Sequence, residues 1–388
     1  MNRKQKKTLI RIIASFILLI LILVLDKTGV IGKPYVSFLY LLPYFLIGYD
    51  ILRIAATFAV MILHTAADKW SKIDVHTYAW SVFNIYDGLV RWAVPIFVMI
   101  SGALLLDRSR KWDLRRFYTK NFVRIIASFI FWGGIYAVTE YLRGVRLRTI
   151  AYNFITGNSN LWFLYMIAGL YLLIPIFRRI TESENLTRYF LALWFCFSVF
   201  LPTIVFAVSY FKDMYANWLQ TVTDSIGLQM VIGYSGYFIL GHYLYTHDIS
   251  KRLRGVLYVA GVFGVVLIAS LTFLFSAKRG YSDYSFGNYF TFGVLMTATA
   301  VFVLLQYHVP RFKSAAAKKC IVTVSVCSFG IYLIHPLFVE NLDGLLHLNT
   351  LVPSTLMYVP LLTAIVFLLS LLCSYVLHKI PVVRDYIV

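Results

Sequence analysis

Two residues with obvious chemistry sit in a segment otherwise built for apolar surroundings. In Asp50-Ile-Leu-Arg53-Ile-Ala-Ala-Thr-Phe-Ala-Val-Met-Ile-Leu-His64, an arginine and a histidine are eleven residues apart. At about 100° per residue, eleven helical steps make three turns plus about 20°, so both side chains share one face, about 16 Å apart along the axis. A neutral imidazole, with an ordinary pKa near ~6.5, is the usual general base for activating a hydroxyl. A guanidinium presents a planar fork of donors suited to phosphate or carboxylate. Each residue also has a plain structural reading: Arg53 can snorkel to a membrane interface, and His64 can bridge two helices through a hydrogen bond.

The elements that must position this pair are membrane helices. The chain has 388 residues, of which 60% are hydrophobic, 17% aromatic and only 14% charged, with a mean hydropathy of +0.76. Soluble domains carry about 25% charged residues to cover their surface, so a soluble fold is excluded. The net charge of +19 is distributed in short clusters between long apolar runs, which is a topology signal and not a nucleic-acid footprint. Apolar runs near 9–25, 36–52, 53–67, 89–106, 122–141, 160–177, 190–210, 226–245, 257–276, 289–307, 321–339 and 357–377 are each read as a span. With twelve spans and the N-terminus inside, the inner segments hold 24 Lys and Arg against 10 outside. One helix over 36–67 reverses everything downstream, so two short spans turning between Asp50 and Arg53 are expected. Both termini are then cytoplasmic, Arg53 lies near the cytoplasmic edge and His64 in the outer half. No small-residue cleavage site follows Leu25, so the first run is not read as a cleaved signal peptide. The loops are too short for a soluble catalytic domain, and any chemistry belongs inside the bundle or at its mouths.

Ionisable groups within spans cost about 2.5–3.5 kcal/mol near the centre and therefore tend to face a cavity or a partner. Asp87 and Arg91, spaced i, i+4 at the expected outer start of a span, form a pair in this reading. Ser101-Gly102 and the glycines of residues 233–241 are read as close helix approach, not as a nucleophile or a dinucleotide fingerprint. Cys196, Cys320, Cys327 and Cys373 show no C-x-x-C spacing and no neighbouring ligand set, so buried thiols and no metal are expected.

The Arg53-x10-His64 pattern resembles the signature of the membrane-bound acyltransferase family 3. Further matches follow in order: Val94-Pro-Ile-Phe-Val-Met-Ile-Ser-Gly102, the basic Arg116 to Arg124 stretch, Leu161-Trp-Phe-Leu164, Gly233-Tyr-Ser-Gly-Tyr-Phe-Ile-Leu-Gly241, and Phe329-Gly-Ile-Tyr-Leu-Ile-His335-Pro336. The resemblance covers about residues 50–380 and implies an all-α, polytopic helix bundle with a ten-helix acyltransferase core over 50–388. It also implies that His64 is the catalytic histidine and Arg53 its essential partner. Arg116, Lys120 and Arg124, at the expected inner mouth, suit the phosphates of coenzyme A as well as they suit ordinary positive-inside anchoring. His335 is read as an acceptor contact, with a structural kink at Pro336 as the alternative. Trp162 and Tyr332 are read as a sugar-stacking wall, with interfacial anchoring as the alternative. Residues 1–49 form an additional membrane hairpin that is similar to the first hairpin of heavy-metal P-type ATPases. Its Asp26-Lys-Thr-Gly29 is read as a chance tetrapeptide, because it follows a span directly and the chain lacks an intramembrane Cys-Pro site and a nucleotide domain.

The expected function is an O-acyltransferase of the bacterial cytoplasmic membrane that moves an acyl group from cytoplasmic acyl-CoA to a hydroxyl of an envelope glycan or glycolipid. Acetyl-CoA is the expected donor, the bilayer the expected surroundings, and nucleic acid is not an expected partner. A direct attack and an acyl-histidine intermediate both fit. The competing expectation is a transporter or flippase that moves a glycolipid or acyl carrier without chemistry.

Overall fold

The computed structural model describes residues 47–388, apart from 110–111, 212, 229, 310–313, 347–349 and 353. The first expected span, the greater part of the second and Asp26-Lys-Thr-Gly29 lie outside the described residues. Among the described residues every regular element is helical. In chain order they are α1 (Ile47–Trp70), α2 (Tyr78–Val90), α3 (Ala93–Leu105), α4 (Leu114–Phe117), α5 (Val123–Leu142), α6 (Leu147–Thr156), α7 (Asn158–Leu172), α8 (Ile174–Ile180), α9 (Glu184–Trp194), α10 (Leu201–Ser209), α11 (Asp213–Ile226), α12 (Ser235–Thr246), α13 (Lys251–Arg279), α14 (Phe292–Tyr307), α15 (Ala315–Leu346), α16 (Thr355–Leu377) and α17 (Pro381–Tyr386). Two π turns, Tyr118–Phe122 and Phe195–Phe200, lead into α5 and α10.

Seven helices among the described residues are long and apolar enough to cross a membrane, or eight if the stretch Leu147–Leu172 (α6 with α7) and α8, bent by 55°, count as one broken span. Their outward faces carry Ile126 and Ile130 on α5, Val259, Val262 and Val266 on α13, and Leu361, Leu368 and Leu372 on α16, all exposed. So much bare hydrocarbon on a folded surface is stable only where lipid is the solvent. The protein is a multi-pass membrane protein.

Two expectations from the sequence need correction. Asp50 and Arg53 do not flank a turn: α1 runs unbroken through both, because their opposite charges, 3.7 Å apart at i, i+3, offset one another within the helix. The next span begins at Tyr78, not near residue 89, and α2 and α3 together form one 28-residue crossing, Tyr78–Leu105. Asp87 and Arg91 therefore lie well inside it, where their pairing offsets the burial of both charges.

Helix α1 is the hub, packed against α2, α3, α14, α15 and α16. Beside it, α3 and α12 cross at backbone contact: a Cβ on Gly102 would fall 1.7 Å from the Phe238 carbonyl oxygen, and one on Gly241 would fall 2.1 Å from that of Met99. Only glycine fits at this crossing. The thiols divide unexpectedly: Cys327 is buried, but Cys196 and Cys320 are exposed. A small hydrophobe is as well placed against lipid as in a core, so apolar context did not determine burial.

Candidate active site

Helices α1 and α15 run parallel and are joined by a polar seam. Near the Ile47 end, Ser325 donates to Asp50 (Oγ to Oδ1, 2.7 Å), and Arg53 donates to Ser325 (Nη1 to Oγ, 3.2 Å). Further along, His64 and His335 meet with Nδ1 of the first 3.0 Å from Nε2 of the second and ring centroids 4.8 Å apart. Near the Trp70 end, Lys69 donates to Asp343 at 2.5 Å. The polar stripe on α1 thus has a matching stripe on α15. Three turns separate Arg53 from His64 along one helix, and each meets its own partner across the seam.

The hydrogen bonds specify the proton positions of the histidine pair. His335 is fully buried, and its Nδ1 lies 3.3 Å from the Ile331 carbonyl oxygen. Its ring is also bonded to the backbone of Tyr332. The Tyr332 carbonyl is available because Pro336, four residues on, has no N–H to donate to it. A carbonyl only accepts, so His335 Nδ1 carries the proton, and in the neutral ring Nε2 is an acceptor. His64 Nδ1–H then donates to it, which leaves His64 Nε2 with a bare lone pair. Unlike His335, His64 is only half-buried. The arrangement is a base held in one tautomer by a second imidazole, chemically akin to a histidine oriented by a carboxylate.

Aromatic side chains pack beside this pair. Tyr332 is 5.8 Å from His335 by ring centroids and 5.5 Å from Phe163. Trp162 stacks near Tyr289 at 6.2 Å and lies 6.0 Å from Tyr234. Trp162, Phe163, Tyr234, Tyr289 and Tyr332 all pack against the cluster of Leu63, Val90 and their neighbours. Arg91 is clamped side-on by Asp87, with Nε to Oδ2 and Nη2 to Oδ1 both 2.6 Å, and its guanidinium carbon is 5.8 Å from the Tyr289 ring centroid. Both members of this ion pair are buried.

The three cations expected to hold phosphate part company. Arg124 turns inward, its guanidinium 5.3 Å from the Phe329 ring centroid and donating to the Val388 carbonyl. Arg116 and Lys120 are exposed. The π turn at Tyr118–Phe122 lies between Arg116 and Arg124 and breaks the phase that a continuous α-helix would give them. Arg124, Arg53 and Tyr171 are within electrostatic reach of one another, so Arg124 borders the Arg53 station. Asp50, Ser325 and Tyr171 had no motif to mark them, and Ser101, within the Val94–Gly102 match, was read only as close helix approach; Asp50, an intramembrane carboxylate one turn from Arg53, carried a readable signal.

A family model described as an acyltransferase domain matches residues 46–379. The chain belongs to this acyltransferase family. Both helices of the polar seam lie within the matched region, and membership together with the multi-pass fold supports an acyl-transfer function with an acyl-CoA donor. No curated protein and no solved structure matches the chain.

Proposed function

We propose that the protein is an O-acyltransferase that uses His64 as general base, takes an acetyl group from acetyl-CoA on the Arg53 side, and delivers it to a hydroxyl of an envelope glycan or glycolipid on the His64 side. The observation that carries this reading is the 3.0 Å contact between His64 and His335, which leaves His64 Nε2 unprotonated on the half-buried ring. In the step, the acceptor oxygen attacks the thioester carbonyl carbon while its proton passes to His64 Nε2. The tetrahedral oxyanion collapses, the C–S bond breaks, and the departing thiolate takes the proton from His64, so ester and free coenzyme A leave and the base is regenerated. Arg53, with Arg124 close by, holds the anionic part of the donor, and Arg116 and Lys120 gather it at the mouth. Trp162 and Tyr332 provide stacking faces for a sugar ring. The acyltransferase unit takes in the whole of α1, which runs unbroken across the expected boundary at Asp50, and extends to residue 388, with the Ile47 end of α1 on the cytoplasmic side.

The test is acetyl transfer and coenzyme A release from radiolabelled acetyl-CoA in proteoliposomes. His64-dependent release is expected; movement of a glycolipid or acyl carrier without release favours a transporter. Orientation is checked separately with Ser109→Cys on a Cys-free background. Labelling of that cysteine from outside by an impermeant maleimide would reverse the assignment of donor and acceptor sides.

A further inference from the structure

The acyl-transfer step creates an oxyanion beside His64, and the seam itself supplies no cation there. Arg53 is eleven residues away on the same helix, about 16 Å along the axis, and Lys69 is engaged by Asp343. The buried ion pair on α2 lies at the right depth. Trp70 and Trp80 stack with ring centroids 5.5 Å apart, which aligns the ends of α1 and α2. His64 is six residues from Trp70 and Asp87 is seven from Trp80, about 9 Å and 10.5 Å into the bundle at 1.5 Å per residue. The Arg91 side chain reaches back towards Asp87, as helical side chains lean towards the N-terminus, so its guanidinium comes up to that level. Leu63 and Val90, the neighbours of His64 and Arg91 in sequence, pack in one cluster, and the Arg91 charge acts on His64.

The guanidinium is also pre-organised. Asp87 occupies one edge of its plane, the Tyr289 ring centroid lies 5.8 Å from its central carbon, and Gly287 lies over the pair so closely that a Cβ there would be 3.2 Å from Arg91 Nε. A fixed cation in a water-poor site stabilises a developing anion without reorganising, which is worth far more there than in water. Tyr234, Tyr289 and Tyr332 surround it within electrostatic reach of one another.

We propose that Arg91, held by Asp87 and Tyr289, is a catalytic residue that stabilises the tetrahedral oxyanion of acyl transfer at His64, while Arg53 serves donor binding. This rests on the acyltransferase reading above, and the experiment separates the two. Acetyl transfer in proteoliposomes is compared among the unsubstituted protein, Arg91→Lys and the double variant Asp87→Asn/Arg91→Gln, which removes both charges together and leaves no buried ion unpaired. Each variant is checked for unchanged thermal unfolding in detergent. The double variant is expected to lose about 10²–10³ in kcat, the usual cost of an oxyanion donor, with donor KM unchanged, because the contact forms only in the transition state. Arg91→Lys falls between the two, since an ammonium keeps the charge but not the fork. A folded double variant with undiminished kcat, or with only acceptor KM raised, overturns the role of Arg91 while leaving the acyltransferase reading intact. If the double variant does not fold, undiminished kcat in Arg91→Lys overturns it instead. Absence of any His64-dependent turnover in the unsubstituted protein overturns the acyltransferase reading, and this assignment with it.

Discussion

The two stations of the α1–α15 seam are built from different materials. At Arg53 a charged group is matched by a charge of opposite sign and a hydroxyl, with side chains still 23% and 17% exposed for Arg53 and Asp50. At His64 two imidazoles meet, and the inner one has no exposure at all. In the proposed function, the difference separates binding from proton transfer. A permanent charge near the edge can hold an anion without changing state, whereas a pair of neutral rings, one buried and one half-buried, can take up and return a proton.

The comparison breaks most sharply at His64. His64→Ala is expected to lower kcat by about 10²–10⁴, as removal of a general base does, with coenzyme A affinity by calorimetry nearly intact. Full turnover in a folded His64→Ala protein would remove proton transfer from this station altogether. His335→Gln should cost less, on the order of tenfold to a hundredfold in kcat, the usual loss when an outer-shell partner is removed. An equal loss in both variants would make the two rings joint participants in proton transfer. At the other station, Arg53→Ala should raise donor KM about tenfold, in keeping with the loss of a charge-assisted hydrogen bond, while kcat holds. Arg53→Lys should recover part of the affinity, and a donor KM that does not move in Arg53→Ala would reduce the arginine to a helix-packing role. The smallest effect belongs to the outermost rung. Lys69→Met should leave kcat unchanged and shift unfolding in detergent by no more than about 1 kcal/mol, the range of partly exposed ion pairs.

How much of this was legible beforehand depended on whether the partner was local. The spacing of Arg53 and His64 on one helical face required only the α-helical repeat, and the Asp87–Arg91 pair only the i, i+4 rule. The continuity of α1 through Asp50 was not legible, because the group that completes that polar cluster, Ser325, lies 275 residues away. His335 was marked by its place beside a proline, but its role as a partner of His64 depended on how two distant helices pack. The basic stretch misled for a local reason: one π turn between Arg116 and Arg124 changes which of them faces inward, and no residue pattern announces it.

The seam also dictates when in synthesis a working centre can exist. His64 and His335 are 271 residues apart, so at about 5–20 residues per second the second ring emerges roughly 14–54 s after the first. Until then the nascent bundle carries an arginine, an aspartate and an imidazole on α1 without the helix that completes them. A chain stalled before α15 leaves Asp50 and Arg53 only each other and His64 without its ring partner, polar groups that are costly to hold within a membrane.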